Sequence, residues 1–246
     1  MSNRSLDILL LLVISIIALS GFYGQYLDTY TYYAVAIGMR IIYIGLFVVY
    51  NKRRRLSSIN VRVKPNIKDL IFLPTLIIAG SNFISLFFVP HLIVEPQVDL
   101  AFYLELILII LSVIIEEFIY RAMFLNGLLL NRFSRKKAIL ISALIFGLIH
   151  LVNINILAPL PTLIQVGYSF LLGLILALVY VAGGRISYPI IIHLAFNVIN
   201  SFFFGNMVYL ELNIWYYVVN VLVGVIALAY TMIAYRIRQK EKGLFY

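Results

Sequence analysis

Glu116-Glu117-Phe118-Ile119-Tyr120-Arg121 lies inside an apolar run that extends from Ala101 to about Leu130. The run is long enough to cross a bilayer as a helix, yet two adjacent carboxylates and a guanidinium are out of place in hydrocarbon. On insertion scales each such charge costs about 2.5–3.5 kcal/mol at a helix centre, so groups of this kind face a bundle interior and mark function. The hexapeptide therefore predicts both a membrane helix and a polar site inside it.

The rest of the chain agrees. Of 246 residues 63% are hydrophobic and only 12% charged, and the mean hydropathy is +1.03, far outside soluble composition. Apolar windows recur at about 6–24, 30–50, 69–89, 101–126, 138–152, 161–182, 187–205 and 213–235. The expectation is an all-α, polytopic bundle of about eight transmembrane helices forming one integral membrane domain over 1–246, with its motif-bearing core at about 101–205. The first window follows Arg4 and lacks a small-residue cleavage site, so it reads as a span and not a signal peptide. Pro74 should kink the third span or free a carbonyl, whereas Pro189 fits the first turn of the seventh.

Charge sets the orientation. Lys52, Arg53, Arg54, Arg55, Arg62, Lys64 and Lys68 fill the second connection, and Arg132, Arg135, Lys136 and Lys137 the fourth. Arg185 lies in the sixth, and Arg236, Arg238, Lys240 and Lys242 follow the last window. The odd-numbered connections hold only acidic charges, so both termini are expected in the cytoplasm. The net charge of +9 is thus a topology signal whose partner is the lipid bilayer, and it gives no reason to expect nucleic acid. The absence of cysteine excludes disulfides, thiolate catalysis and cysteine metal sites.

Polar residues recur at matched depth on three windows. Glu117 and Arg121 stand at i and i+4 and can pair on one face, while Glu116 is rotated by about 100° and keeps a like-charged neighbour. The fifth window carries Phe146 and His150; the seventh carries His193 and Asn197, again at i and i+4, with Asn200 and Ser201 extending the stripe. Counting about 1.5 Å per residue from the flanking basic residues puts Glu116 roughly 15–24 Å in, His150 roughly 20 Å, His193 roughly 12 Å and Asn197 roughly 18 Å. Convergence at one level is the mark of a site. Asn197 taken alone reads equally as an interhelical hydrogen bond, Phe146 as packing, and Arg40 as a snorkelling cation or a partner for Glu117.

At these residues the chain resembles the CPBP family of intramembrane endopeptidases, which includes the type II CAAX prenyl proteases and the bacterial Abi proteins. The family pattern is Glu-Glu-x-x-x-Arg, then Phe-x-x-x-His, then His-x-x-x-Asn, met here in order by Glu116-Glu117 with Arg121, Phe146 with His150, and His193 with Asn197. Each motif alone is weak; the ordered set is specific. The resemblance implies a glutamate protease without cofactor or metal, in which Glu116 and His150 activate a water and His193 and Asn197 hold the oxyanion. Glu117, Arg121 and Phe146 would support that site. The implied partner is a membrane-associated peptide or protein, met at a site opening to the cytoplasmic side. Abundant Ile, Asn and Tyr point to an AT-rich bacterial source and its cell membrane, where prenylated substrates are not expected. Three other readings stay open: a zinc site built from the histidines and carboxylates, a non-catalytic bacteriocin immunity or regulatory protein, and a transporter. The oligomeric state is not readable.

Overall fold

The computed structural model describes residues 26–54, 67–80, 99–153, 159–204 and 214–242. Among the described residues every regular element is helical. In order these are α1 (Thr29–Arg54), a 3-10 turn (Ile67–Phe72) leading into α2 (Leu73–Gly80), and α3 (Leu100–Glu117). A π-helix (Phe118–Leu125) and α4 (Asn126–Leu130) continue α3. There follow α5 (Arg135–Leu148) with a 3-10 end (Ile149–Asn153), α6 (Leu160–Gly183), α7 (Ser187–Phe204) and α8 (Ile214–Glu241).

The helical class agrees with the sequence expectation. Among the described residues three helical stretches are long and apolar enough to cross a membrane: Thr29–Lys52, Thr162–Gly183 and Val218–Glu241. A shorter apolar helix runs over Ser187–Ile199. The window 6–24, residues 81–89 of the third window, and the stretches 55–66, 90–98, 154–158 and 205–213 lie outside the described residues.

Local chemistry explains the ends. Asp28 Oδ1 accepts from the Tyr30 and Thr31 N–H groups at 3.1 and 3.0 Å, and Asp99 Oδ1 accepts from Phe102 N–H at 2.9 Å. Each carboxylate thereby satisfies donors that the first helical turn leaves free. Ser134 caps α5 by accepting from Lys137 N–H. At the end of α6, Gly184 takes φ +71° and donates its N–H to the Tyr180 carbonyl, a left-handed cap that a residue with a Cβ adopts only under strain. Pro74 is the second residue of α2, at the point where the 3-10 turn passes into the α-helix, so the helical run changes its winding at the proline, whose missing N–H leaves a carbonyl of the preceding turn without its helical donor.

The chain forms two compact units, one from residues 1–59 and 97–116, the other from 60–96 and 117–246. The boundary falls between the two glutamates, so the stretch expected to form one motif core is shared between the units. In the first unit Arg40 is buried. Its Nε donates to Ser112 Oγ at 2.7 Å and its Nη1 to the Ala36 carbonyl at 3.0 Å. It therefore does not snorkel. A cation held this way inside an apolar segment has exchanged water for fixed acceptors.

In the second unit α6 is the central helix, and Leu172, Ile175, Leu176, Val179 and Ala182 pack with Phe72, Ala79, Ile192, Ala227 and Ala234. Lipid is as apolar as leucine, so such helices are held by close van der Waals packing more than by exclusion from water. Two glycines set the closest approach of α5 and α6. A Cβ on Gly147 would meet Phe170 Cβ and the Val166 carbonyl at 3.0 Å, and one on Gly173 would meet Ala143 Cα and Phe146 Cδ1 at 3.1 Å. The second contact seats Phe146. Gly173→Val is expected to cost about 1–3 kcal/mol by overpacking and to displace Phe146. Gly167→Val, at a position with nothing within 4 Å of the added Cβ, is the control; thermal unfolding in detergent micelles measures both.

Candidate active site

The polar centre of the second unit is built on an irregular helix. From Phe118 the α-helical ladder widens into a π-helix, in which Asn126 N–H reaches the Arg121 carbonyl five residues back. Such turns are rare and recur at functional sites. The wide segment is pinned from two sides. Ser142 Oγ donates to the Tyr120 carbonyl at 3.1 Å, and Asn126 Nδ2 donates to Ala122 O at 3.1 Å and to Tyr180 Oη at 2.6 Å.

Glu117 and Arg121 are both fully buried, with Arg121 Nε 3.1 Å from Glu117 Oε2. That is the i, i+4 pair read from the sequence. The structure adds a second partner: Glu117 Oε1 lies 2.9 Å from His193 Nδ1. On the other edge of the same imidazole, Nε2 lies 3.3 Å from Asn197 Nδ2. Nδ2 of Asn197 is a donor, so the consistent hydrogen-bond assignment has Nδ1–H donating to Glu117 and Nε2 accepting from Asn197. Glu117 thereby orients the histidine, a role beyond the local charge balance that the sequence assigned it.

Phe146 forms the apolar face of this centre. Tyr120, His150 and His193 meet its ring edge-on, with centroid separations of 5.1, 5.8 and 5.5 Å. The Arg121 guanidinium lies 4.5 Å from the ring centroid, a cation–π distance that offsets part of the cost of burying the charge. The two histidines therefore flank one aromatic side chain. His150 stands in the 3-10 turn that ends α5 and is half-buried, while His193 is buried on α7. Among the described residues no group of three or more His, Asp or Glu side chains is arranged to hold a metal ion.

Glu116 belongs to the first unit, in the last turn of α3, and is half-buried. Ser112, which holds Arg40, stands one turn before it. The Arg40 charge is within electrostatic reach of Glu116. Within this unit Arg40 is joined to Ser112 and set near Glu116; Glu117, its candidate partner from the sequence, belongs to the other unit. Nothing in the sequence marks Ser112, a single small polar residue in an apolar run, as the anchor of that cation.

A buried carboxylate holding an imidazole, with an amide on the second ring nitrogen, is suited to polarising water and carbonyl groups, which is the chemistry of hydrolases. Residues 98–199 match the family model of the Rce1-like proteins, described as type II CAAX prenyl endopeptidase Rce1-like. Through this segment, which runs from before Glu116 to beyond Asn197, the chain is similar to that family of proteases. No curated protein and no solved structure matches the chain.

Proposed function

We propose that the protein is an intramembrane endopeptidase that hydrolyses a peptide bond in a membrane-associated peptide or protein. The observation that carries this reading is His193, held between Glu117 and Asn197 over the Phe146 ring, inside the segment that matches the endopeptidase family.

In this reading Glu116 takes a proton from the attacking water, and His150 helps to orient that water. As the tetrahedral intermediate forms, the former carbonyl oxygen becomes an anion. His193 Nε2 and Asn197 Nδ2 face one another at 3.3 Å, so an oxygen replacing their mutual hydrogen bond would meet both groups. For Nε2 to donate to that oxygen the imidazole takes up one further proton from solvent before the step and returns it afterwards, with Glu117 as the counter-charge. The proton held by Glu116 then passes to the leaving amine, which balances the hydrolysis without a cofactor or metal. The substrate reaches the site from the cytoplasmic leaflet of a bacterial membrane, where the basic connections gather it.

Asn197→Ala removes one of the two oxyanion donors. It is expected to lower the cleavage rate about 10²–10³-fold, the usual cost of one such donor, with little change in accumulation. The function as a whole is tested by comparative peptide mass spectrometry on membranes carrying the wild type or Glu116→Ala, with and without a chelator. A product found only with the wild type, and unchanged by chelation, is the expected result. Loss of product on chelation, restored by added zinc, would replace the metal-independent reading. No product from either membrane, with the biological effect intact in both, would replace catalysis by binding.

A further inference from the structure

Arg185 lies in the connection between α6 and α7, away from the residues assigned to catalysis. It is only 4% exposed, and its Nε and Nη2 atoms are buried with no hydrogen-bond partner among the described residues. The guanidinium rests on the Tyr188 ring, with Cζ 5.4 Å from the centroid. Cation–π attraction returns part of the cost of burying a cation, but it does not satisfy in-plane N–H donors. A buried charged donor without an acceptor is costly enough to ask what fills the place.

The carboxylates joined to Tyr188 and Arg238 are already engaged. Asp69 Oδ1 accepts from Nε and Nη2 of Arg238, and Asp69 Oδ2 accepts from Tyr188 Oη at 2.7 Å. Glu241 accepts from Arg238 Nη1 at 2.9 Å. Lys242 adds another cation at the end of α6 by donating to the Ala182 carbonyl at 2.6 Å. Tyr188 is itself fixed: a Cβ on Gly183 would come within 2.6 Å of its ring, and Asp69 holds its hydroxyl. The platform under Arg185 is therefore preorganised. Arg185 also stands two residues before α7, whose first-turn N–H groups form the positive end of the helix dipole.

We propose that Arg185, with Tyr188 beneath it and the start of α7 following it, binds a phosphate oxyanion, supplied by a phospholipid headgroup or by free phosphate. The planar guanidinium fork matches phosphate oxygens in a way an ammonium does not. The connection joins one helix that is long and apolar enough to span and a second apolar helix, which puts it at the level where headgroup phosphates lie. His193 follows eight residues later on α7, so an anion bound here would fix the depth of the helix that carries His193 and Asn197.

The test uses the full chain exchanged into dodecyl maltoside free of phosphate and lipid. Its thermal midpoint is followed while dihexanoyl phosphatidylglycerol, kept below its micelle concentration, or inorganic phosphate is added. The wild type is expected to be stabilised saturably, and Arg185→Gln to require about 10–100-fold more ligand, the loss of one charge-assisted contact. A response to the short-chain lipid alone identifies a headgroup; a response to inorganic phosphate identifies the free ion. With no ligand present, Arg185→Gln should melt at or above the wild-type temperature, because it removes a buried cation that lacks an acceptor. Equal ligand responses in the two proteins, no response in either, or a lower ligand-free midpoint for Arg185→Gln would overturn the proposal.

Discussion

Glu117→Gln is expected to destabilise the protein by about 3–5 kcal/mol, the range for breaking a buried ion pair from one side. The reason is the double engagement of this carboxylate. Its Oε2 faces Arg121 at 3.1 Å and its Oε1 faces His193 at 2.9 Å, with Glu117 and Arg121 both fully buried. Glutamine can still accept from His193 through its amide oxygen, but its NH₂ then faces the guanidinium donor, and the Arg121 charge loses its counter-ion in a dry setting. Denaturant unfolding in mixed micelles, followed by near-ultraviolet circular dichroism, measures the loss. The double variant Glu117→Gln/Arg121→Met should recover much of the stability, since an apolar replacement of a whole buried pair is often neutral. It should not recover cleavage, because the carboxylate that orients His193 is still missing. A Glu117→Gln protein as stable as the wild type would remove the buried-ion account.

Glu116→Gln should give the opposite pattern. The change is nearly isosteric at a half-buried position, so accumulation in the membrane is expected to stay near wild type. The cleavage rate is expected to fall about 10²–10⁴-fold, the contribution of a positioned general base. Quantitative mass spectrometry of the product, normalised to protein in the same membranes, separates rate from abundance. Two neighbouring glutamates would then be told apart by experiment: one variant that folds and does not cut, and one that fails to hold its centre. Unchanged product from Glu116→Gln would move the base to another residue.

Much of this was legible in the residues. Helices are local and their signals are dense: the apolar windows near 30–50, 161–182 and 213–235 correspond to α1, α6 and α8, within a few residues at most ends. The Glu117–Arg121 pair follows from i, i+4 spacing and holds in the structure even though the ladder widens there. Phe146 reads as packing, and packing is what it does for Tyr120, His150 and His193.

What stayed hidden depends on partners far apart in sequence. Glu117 and His193 are 76 residues apart, Arg40 and Ser112 are 72 apart, and Arg238 and Asp69 are 169 apart. No spacing rule couples such positions. The π-helix was hidden for another reason: its cost is local but its compensation comes from Ser142 and Tyr180 on other helices.

By itself the sequence determined a helical membrane protein with a polar centre and the residue types that centre requires, because hydropathy and helical period are properties of short stretches. Only the tertiary structure decided which acid holds which base. It made Glu117 the carboxylate that orients His193, bound Arg40 to Ser112, and left Arg185 Nε and Nη2 buried beside Tyr188 with no acceptor among the described residues. Those outcomes turn on ångström distances between side chains brought together by packing, which an apolar pattern does not encode.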